Sequence, residues 1–129
     1  MKEIKSYTDL DVWIKSRALV KQIYLLTNNF PKEEAYSLTS QIRRAVISIP
    51  SNIAEGIARQ YNNGTIQFFH ISRGSIFELE TQIILASDLG YLNDKQLSSV
   101  LGEIEDCKKL ITGFINYYKN KSRKLNITE

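Results

Sequence analysis

Few residues of this chain have the type and spacing that catalysis or metal binding needs. His70 is the only histidine, and Gln67 stands three positions before it, where a carboxylate-bridged di-iron bundle needs glutamate. Cys107 is the only cysteine, so a zinc cluster of the standard kind cannot form. Glu78 and Glu80 are two positions apart and point to different faces of a helix, which is unsuitable for an acid–base pair. Since a phosphate-cradling glycine loop is also missing, we predict no catalytic, cofactor-binding or metal-binding residues and no enzymatic activity.

Basic residues near the C-terminus are the clearest binding feature. The formal charge is +3, from 17 Lys and Arg against 14 Asp and Glu, which alone says little about a partner. From Cys107 to Thr128, however, the sequence contains no acidic residue. The predicted contacts to nucleic-acid phosphates are Lys108, Lys109, Lys119, Lys121, Arg123 and Lys124. The alternative is a solvated helix end whose cations suit the negative end of the helix dipole.

Apolar residues recur at intervals of three and four through most of the chain, which predicts an all-α fold. The boundary signals are Pro31 at a helix start, the turn YNNG at 61–64, and Gly90 at a helix end. The predicted helices span about 9–28, 32–60, 65–89 and 94–119. We predict one domain over residues 1–129, an antiparallel up-down-up-down four-helix bundle with a frayed tail at 120–129.

The second predicted helix has more apolar and small residues than one core face needs. A stripe on the side away from core residues such as Ile42 and Ile49 predicts a contact between copies of the chain. The residues assigned to this oligomer interface are Arg43, Arg44, Ile47, Ser51, Ala54 and Ala58. The alternative is a few exposed apolar side chains of the kind that soluble proteins tolerate.

A polar flank of the same helix predicts a partly buried network between the second and third helices. We expect it to fix the register of the two helices, and a catalytic role is the weaker interpretation. Its predicted members are Gln41, Asn52, Glu55, Arg73 and Glu80. Pro50 lacks an N–H and predicts a bend within this helix. Gly56 and Gly74 predict a close approach of the two backbones.

The chain has no feature of a secreted or membrane protein. Its first residues lack the apolar segment of a signal peptide, and no window approaches the ~18 uninterrupted apolar residues of a membrane span. A single cysteine excludes an internal disulfide and fits a reducing compartment. We therefore expect a cytoplasmic protein without a membrane partner.

Several motifs in the second and third helices carry a resemblance to a known family. They are Phe30-Pro31, Gln41-Ile42-Arg43-Arg44-Ala45, Ser48-Ile49-Pro50, Asn52-Ile53-Ala54-Glu55-Gly56, Arg73-Gly74-Ser75, Glu78-Leu79-Glu80 and Leu89-Gly90-Tyr91-Leu92. From about Leu10 to Tyr118 the chain resembles the 23S rRNA intervening-sequence proteins, also called four-helix bundle proteins. The resemblance implies a bacterial bundle that assembles into a ring-shaped homopentamer. The chain is also similar to the accessory protein of diversity-generating retroelements, a basic pentameric bundle that associates with a reverse transcriptase and nucleic acid.

Two functions fit this pattern. The first is a non-enzymatic, homo-oligomeric accessory protein that binds nucleic acid, RNA before DNA, because repeated subunits multiply a modest basic patch. The second is a protein-interaction scaffold that recruits the product of a neighbouring gene, such as a reverse transcriptase, without binding nucleic acid itself. The first hypothesis is favoured. The expected partners are therefore other copies of the chain and RNA or DNA.

Overall fold

A computed structural model describes residues 6–60 and 64–128, with side chains through Lys121. The described residues form four α-helices and two short 3-10 turns, and they contain no strand. The helices are α1 (Asp11–Thr27), α2 (Leu38–Ala58), α3 (Thr65–Asp88) and α4 (Asp94–Thr128). The 3-10 turns, Tyr7–Asp9 and Lys32–Glu34, precede α1 and α2. The prediction of an all-α chain with four helices is confirmed. Residues 61–63 of the predicted turn lie outside the described residues.

The helix α2 begins at Leu38, later than the start near residue 32 that the sequence predicts. Residues Lys32–Glu34 form a 3-10 turn instead, and Ser37 leaves helical geometry with φ −127° and ψ −102°. Most side chains of this segment are exposed, and Tyr36 is 100% exposed. Because helices in proteins depend on packing of an apolar face, a segment without a core anchor gains little by extending α2.

The helix α4 has 35 residues and continues to Thr128, whereas the sequence predicts a frayed tail after about residue 119. Few apolar residues follow Tyr118, which is the reason for that prediction. The segment 120–128 nevertheless contains neither glycine nor proline, so no residue in it interrupts helical hydrogen bonding. The consequence is that the C-terminal basic positions are carried on one continuous helical backbone.

Two helix ends are closed by local hydrogen bonds. At the start of α4, the Gln96 N–H donates to Oδ1 of Asn93 (2.8 Å) and the Asn93 N–H donates to Oε1 of Gln96 (2.9 Å). This reciprocal pair satisfies two donors that a helix start leaves without partners. At the end of α3, Gly90 adopts φ +79° and the Tyr91 N–H donates to the Ala86 carbonyl at 3.0 Å. The helix end that Gly90 predicts is therefore confirmed.

Each helix packs against two neighbours around one apolar core. The helix α1 contacts α2 and α4, α2 also contacts α3, and α3 also contacts α4. This arrangement is consistent with a four-helix bundle. The core takes one or more fully buried side chains from every helix, among them Ile23, Ile49, Ile76 and Ile111. The free energy of burying these side chains, roughly 1.5–3 kcal/mol for each, is the main stabilisation of the arrangement.

The helices α2 and α3 approach closely where α2 ends and α3 begins. A Cβ atom added to Gly56 would lie 2.4 Å from Cε1 of Phe69 and 3.0 Å from the carbonyl oxygen of Thr65. The Phe69 ring cannot easily move, because it is fully buried and packs edge-on against Phe114. Gly56 therefore makes the close approach possible, as predicted. Gly74 has no such role, since an added Cβ would meet no atom within 4 Å.

Side-chain donors bind the two backbone carbonyls that immediately precede Pro50, which lies inside α2. The Ser72 hydroxyl of α3 donates to the Ile49 carbonyl at 2.8 Å, and Nδ2 of Asn52 donates to the Ser48 carbonyl at 2.8 Å. Ser72 is fully buried, so its bond stabilises a hydroxyl that would otherwise lose its water partner. The bend at Pro50 stays a prediction.

None of the helices in the described part of the chain combines the length and the apolar character that crossing a bilayer requires.

Replacing Gly56 with alanine tests the close approach of α2 and α3. We expect Gly56→Ala to lower the free energy of unfolding by about 1–3 kcal/mol, since the new methyl overlaps the Phe69 ring. Gly74→Ala is the matched control, because it adds the same methyl group to a helix at a position where that methyl meets open space. It should raise the free energy of unfolding by up to ~1 kcal/mol through the higher helix propensity of alanine. Urea unfolding followed by circular dichroism measures both. Equal effects of the two substitutions would contradict the interpretation.

Candidate nucleic-acid and assembly surfaces

Lys108, one of the predicted phosphate contacts, is occupied within the chain. Its Nζ lies 2.6 Å from a carboxylate oxygen of Glu80 on α3 and 3.4 Å from one of Glu105 on α4. It also lies 4.7 Å from the ring centroid of Phe77, and its side chain is 17% exposed. The hydrogen bond to Glu80 raises the pKa of Lys108 above its usual value. Lys108 therefore holds α3 and α4 together, and the structure does not favour it as a phosphate contact.

The other predicted phosphate contacts differ in their surroundings. Lys109 and Lys121 are exposed, and Lys119 is half-buried. Positions 123 and 124 belong to the last turns of α4, and their side chains lie outside the described residues. The exposed lysines of α4 therefore differ in their surroundings from Lys108, which is largely buried in ion pairs.

A groove on the surface between α3 and α4 brings Lys119 together with residues that the sequence did not group. It has a volume of about 250 Å³ and is called here the α3–α4 groove. Its lining residues are His70, Arg73, Thr112, Ile115, Asn116 and Lys119. Nε of Arg73 donates to Oγ1 of Thr112 at 3.1 Å, so the guanidinium is held across the two helices. All lining side chains except that of Ile115 can donate hydrogen bonds.

His70 is in a cationic environment within this groove. Partial burial lowers its pKa below the usual value, and the positive charges of Lys119 and Arg73 lower it further. All three effects disfavour the charged imidazolium. His70 is therefore a neutral imidazole near pH 7, beside two groups that carry positive charge.

Arg43, which the sequence assigns to the oligomer interface, contacts α1 of the same chain. Its Nε donates to Oγ1 of Thr27 at 2.9 Å and one Nη donates to Oδ1 of Asn28 at 3.0 Å. Its guanidinium carbon also lies 4.5 Å from the ring centroid of Tyr24. These contacts give Arg43 a role within one protomer, where it joins α2 to the end of α1. Arg44, the next residue, is exposed.

The remaining residues of the predicted interface form an accessible stripe on α2. Ile47 is 43% exposed, Ser51 and Ala58 are exposed, and Ala54 is half-buried. Ile47 follows Arg43 by four residues and Ala54 follows Ile47 by seven, so the three lie on the same side of α2. The stripe therefore borders α1 and continues outward along α2 toward Ala58.

The five residues of the predicted polar network fall into separate contacts. Asn52 bonds to Ser48, whose hydroxyl lies 2.9 Å from that of Ser75 on α3. Glu55 pairs with Arg59 one turn further along α2, at 3.0 Å. Arg73 and Glu80 instead reach across to Thr112 and Lys108 of α4, while Gln41 is exposed at the far end of α2. Small serines thus make the α2–α3 register contacts that longer side chains were predicted to make.

Cys107 is unsuited to nucleophilic chemistry. It is fully buried in the core, and burial raises its pKa to about 11. A thiol with this pKa is almost entirely protonated near pH 7, so the reactive thiolate is scarce. In the part of the chain that the structure describes, no three His, Cys, Asp or Glu side chains converge in a way that could hold a metal ion.

The α3–α4 groove was missed because its signal is split between two helices. His70 and Arg73 are three positions apart, and Thr112, Asn116 and Lys119 are spaced by four and three, so each set lies on one helix face. Neither set is unusual by itself. Only the register of α3 against α4, set by contacts such as Arg73 with Thr112, places the two faces together.

Lys108 and Lys109 are adjacent lysines that the structure separates into different roles. We expect Lys108→Gln to lower the free energy of unfolding by roughly 1 kcal/mol, because Glu80 loses a charged, partly desolvated partner. Lys109→Gln, the matched control on an exposed side chain, should change it by less than about 0.5 kcal/mol.

The pH dependence of this contribution follows from the raised pKa of Lys108. The stabilisation is fully present below the unfolded-state value near 10.5 and is lost as the pH rises through the higher folded-state pKa. Urea unfolding at pH 7 and above pH 11 measures it. Lys108 and Lys109 variants of equal stability at pH 7 would show that the pair with Glu80 contributes nothing.

Comparison with known proteins assigns the chain to a family. The family model for the 23S rRNA-intervening sequence protein matches residues 8–113. No curated protein shows significant similarity to the chain. A solved structure similar to the chain is that of a protein of unknown function from the S23 ribosomal protein family of Bacteroides thetaiotaomicron, with a TM-score of 0.73 and 24% sequence identity. The match covers 81% of this chain and 95% of that one, and it supports the same fold. Since the family model covers most of the sequence, the chain belongs to the 23S rRNA-intervening sequence protein family.

Proposed function

We propose that the protein is a non-enzymatic, homo-oligomeric accessory protein that acts in the cytoplasm and binds nucleic acid, with RNA as the preferred partner. The observation that carries the proposal is the charge of α4. This helix has no acidic residue from Cys107 to Thr128, and it continues without interruption through the basic positions near its end. Basic residues that are clustered on one helix without intervening acids can neutralise several phosphates of the same strand.

The ion pairs of the described residues support the same conclusion. Lys15 pairs with Glu103 and Lys108 pairs with Glu80, so two lysines of the bundle's middle are neutralised inside the chain. The acidic partners on α4 lie in its first half, before Cys107. The net positive charge is therefore concentrated on the second half of α4, where a phosphate backbone could approach it without meeting acids on the same helix.

The proposed bundle is antiparallel. Contacts between neighbouring helices support this direction, because the residue numbers on one helix rise as those on the other fall. Ile49 contacts Ser72 while Gly56 lies against Thr65 in α3. We further propose that copies of the bundle assemble into a ring, a homopentamer as the family resemblance implies, through the α2 stripe formed by Ile47, Ser51, Ala54 and Ala58. An apolar stripe on a solvent-facing side of a helix is the kind of surface that subunit contacts cover.

A protein-interaction scaffold is the second candidate, and an apolar surface at the end of the bundle favours it. Leu85 of α3 and Leu89, which directly follows α3, are exposed and line a groove of about 310 Å³ together with Leu38 of α2. The fully exposed Tyr36 lies just before this helix start. Exposed leucine and tyrosine side chains are typical of surfaces that bind another protein. As a scaffold, the bundle would recruit such a partner, for example a reverse transcriptase, without any contact between α4 and nucleic acid.

Nucleic-acid titrations distinguish the two functions. We expect labelled single-stranded RNA to bind at 50 mM salt, more tightly than duplex DNA, with an affinity that falls steeply as salt rises. Changing Lys119, Lys121, Arg123 and Lys124 to Gln should reduce the salt slope by up to about 3, since each lost phosphate contact removes ~0.7 on single strands.

The control for this titration removes the same charge elsewhere. Arg17, Lys21, Lys32 and Lys95 are exposed cations outside the second half of α4. Their change to Gln should leave most of the salt slope in place. The absence of RNA binding to the unmodified protein would favour the scaffold, and an equal loss in both variants would refute the role of α4.

Glutamate substitutions on α2 test the assembly. A pentamer of 14.8 kDa chains would have a mass near 74 kDa. Ala54→Glu with Ala58→Glu should raise the dissociation constant at least about 100-fold, because each new carboxylate would be buried without a partner. Ala18→Glu with Ser98→Glu, at exposed positions of α1 and α4, is the matched control. Light scattering measures the mass and circular dichroism checks the fold. A monomeric unmodified protein at micromolar concentration would contradict the assembly.

A further inference from the structure

In the α3–α4 groove, cationic and neutral hydrogen-bond donors from two helices converge around one cavity. We propose that it binds one phosphodiester group of single-stranded RNA, an inference that rests on the proposed function and locates its central contact. The groove combines His70 and Arg73 from α3 with Asn116 and Lys119 from α4, and it has a volume of about 250 Å³. That volume accommodates a phosphate group with parts of the neighbouring riboses.

The donors of the groove match the needs of a phosphate. Arg73 has five N–H donors, of which the bond to Thr112 uses one, and the guanidinium plane suits two-point contact with phosphate oxygens. Lys119 adds a point charge from the opposite wall, and the Asn116 amide adds neutral donors. The buried side chain of Ile115 forms an apolar floor, and a floor that excludes water strengthens each charged contact above it.

Electrostatics distinguish this groove from the next contact along the same two helices. One to two turns away, Glu80 and Glu105 neutralise Lys108, and Phe77 lies between Lys108 and Arg73. None of the described residues that line the α3–α4 groove is acidic. Partial burial lowers the pKa of His70, and the positive charges of Lys119 and Arg73 beside it lower that pKa further. A bound anion would relieve this repulsion.

His70 therefore reports on occupancy of the groove. Among the described residues the charged groups that act on it are Arg73 from its own helix and Lys119 from the facing helix. Because a phosphodiester carries a fixed negative charge near neutral pH, its arrival should favour the imidazolium and raise the pKa of His70. By linkage, RNA binding should then strengthen as the pH falls through the His70 titration.

Proton NMR of the imidazole tests the proposal. Since His70 is the only histidine, its ring signals need no assignment. We expect a ten-nucleotide oligouridylate to raise the His70 pKa in the unmodified full-length protein. Lys119→Gln should weaken binding about eight-fold at 50 mM salt and reduce the salt slope by ~0.7, the value of one phosphate contact. Asn116→Ala removes an uncharged donor at an exposed position, so it should weaken binding while leaving the salt slope unchanged.

Lys95→Gln, at an exposed position in the first turn of α4, is the control and should leave the RNA-induced pKa change of His70 intact. Binding of RNA without any change in the His70 pKa, or with Lys119→Gln equal to Lys95→Gln, would overturn the groove and leave the proposed function standing. If the oligonucleotide does not bind the unmodified protein under any of these conditions, both the groove and the proposed function are wrong.

Discussion

The close contact between Gly56 and the Phe69 ring is the constraint on which the rest of the structure depends. It fixes how near α2 lies to α3, and the same ring packs against Phe114 at 4.8 Å and Tyr118 at 5.0 Å between ring centroids. One buried side chain thus sets the spacing and register of three helices. His70 follows Phe69 in the sequence and Lys119 follows Tyr118. Because adjacent residues on a helix differ by about 100°, the residues beside the packed aromatic rings reach the surface as walls of one groove.

Charge is arranged along the bundle in a way that the net value of +3 does not reveal. Acidic residues of α3 and of the first half of α4 hold Lys15 and Lys108 in pairs that join neighbouring helices. The second half of α4 lacks such residues. Cations in the middle of the bundle therefore contribute to its cohesion, while the basic positions near the end of α4 have no acidic residue close to them in the helix sequence. A charge distribution of this kind orients a molecule in the field of a polyanion even when its total charge is small.

The elements were predictable from the sequence because their signals are local. Apolar periodicity predicted four helices, Gly90 predicted the end of α3, and Gly56 predicted the close approach of α2 and α3. The start of α2 could not be predicted in the same way. Proline and charged residues at 31–34 suit a 3-10 turn as well as a helix, and the choice between the two depends on burial, which the local sequence does not show. The family could also be predicted from the sequence motifs, all of which lie within residues 8–113, the part of the chain that the family model matches.

The candidate site was harder to predict because partner choice between helices depends on register. Lys108 and Lys119 look alike in the sequence, yet one lies against Glu80 and the other beside His70 and Arg73. The sequence did not indicate that Arg43 bonds to Thr27 and Asn28 at the end of α1, and its place at a subunit interface stays a prediction. A long polar side chain bonds to an acceptor that the neighbouring helix places near it. The packing of the core, and not the polar residues themselves, determines which acceptor that is.

The buried position of Cys107 has a consequence for how copies of the protein can associate. Its sulfur is fully enclosed and its pKa is about 11, so near pH 7 only about one thiol in ten thousand is ionised, and that one is out of reach of solvent. As the only cysteine, it leaves the folded chain without an accessible thiol for a disulfide bond to another copy. An assembly of folded chains that is held by non-covalent contacts is reversible. Its abundance follows mass action, and the ratio of assembled to single chains rises and falls with the concentration of the protein itself.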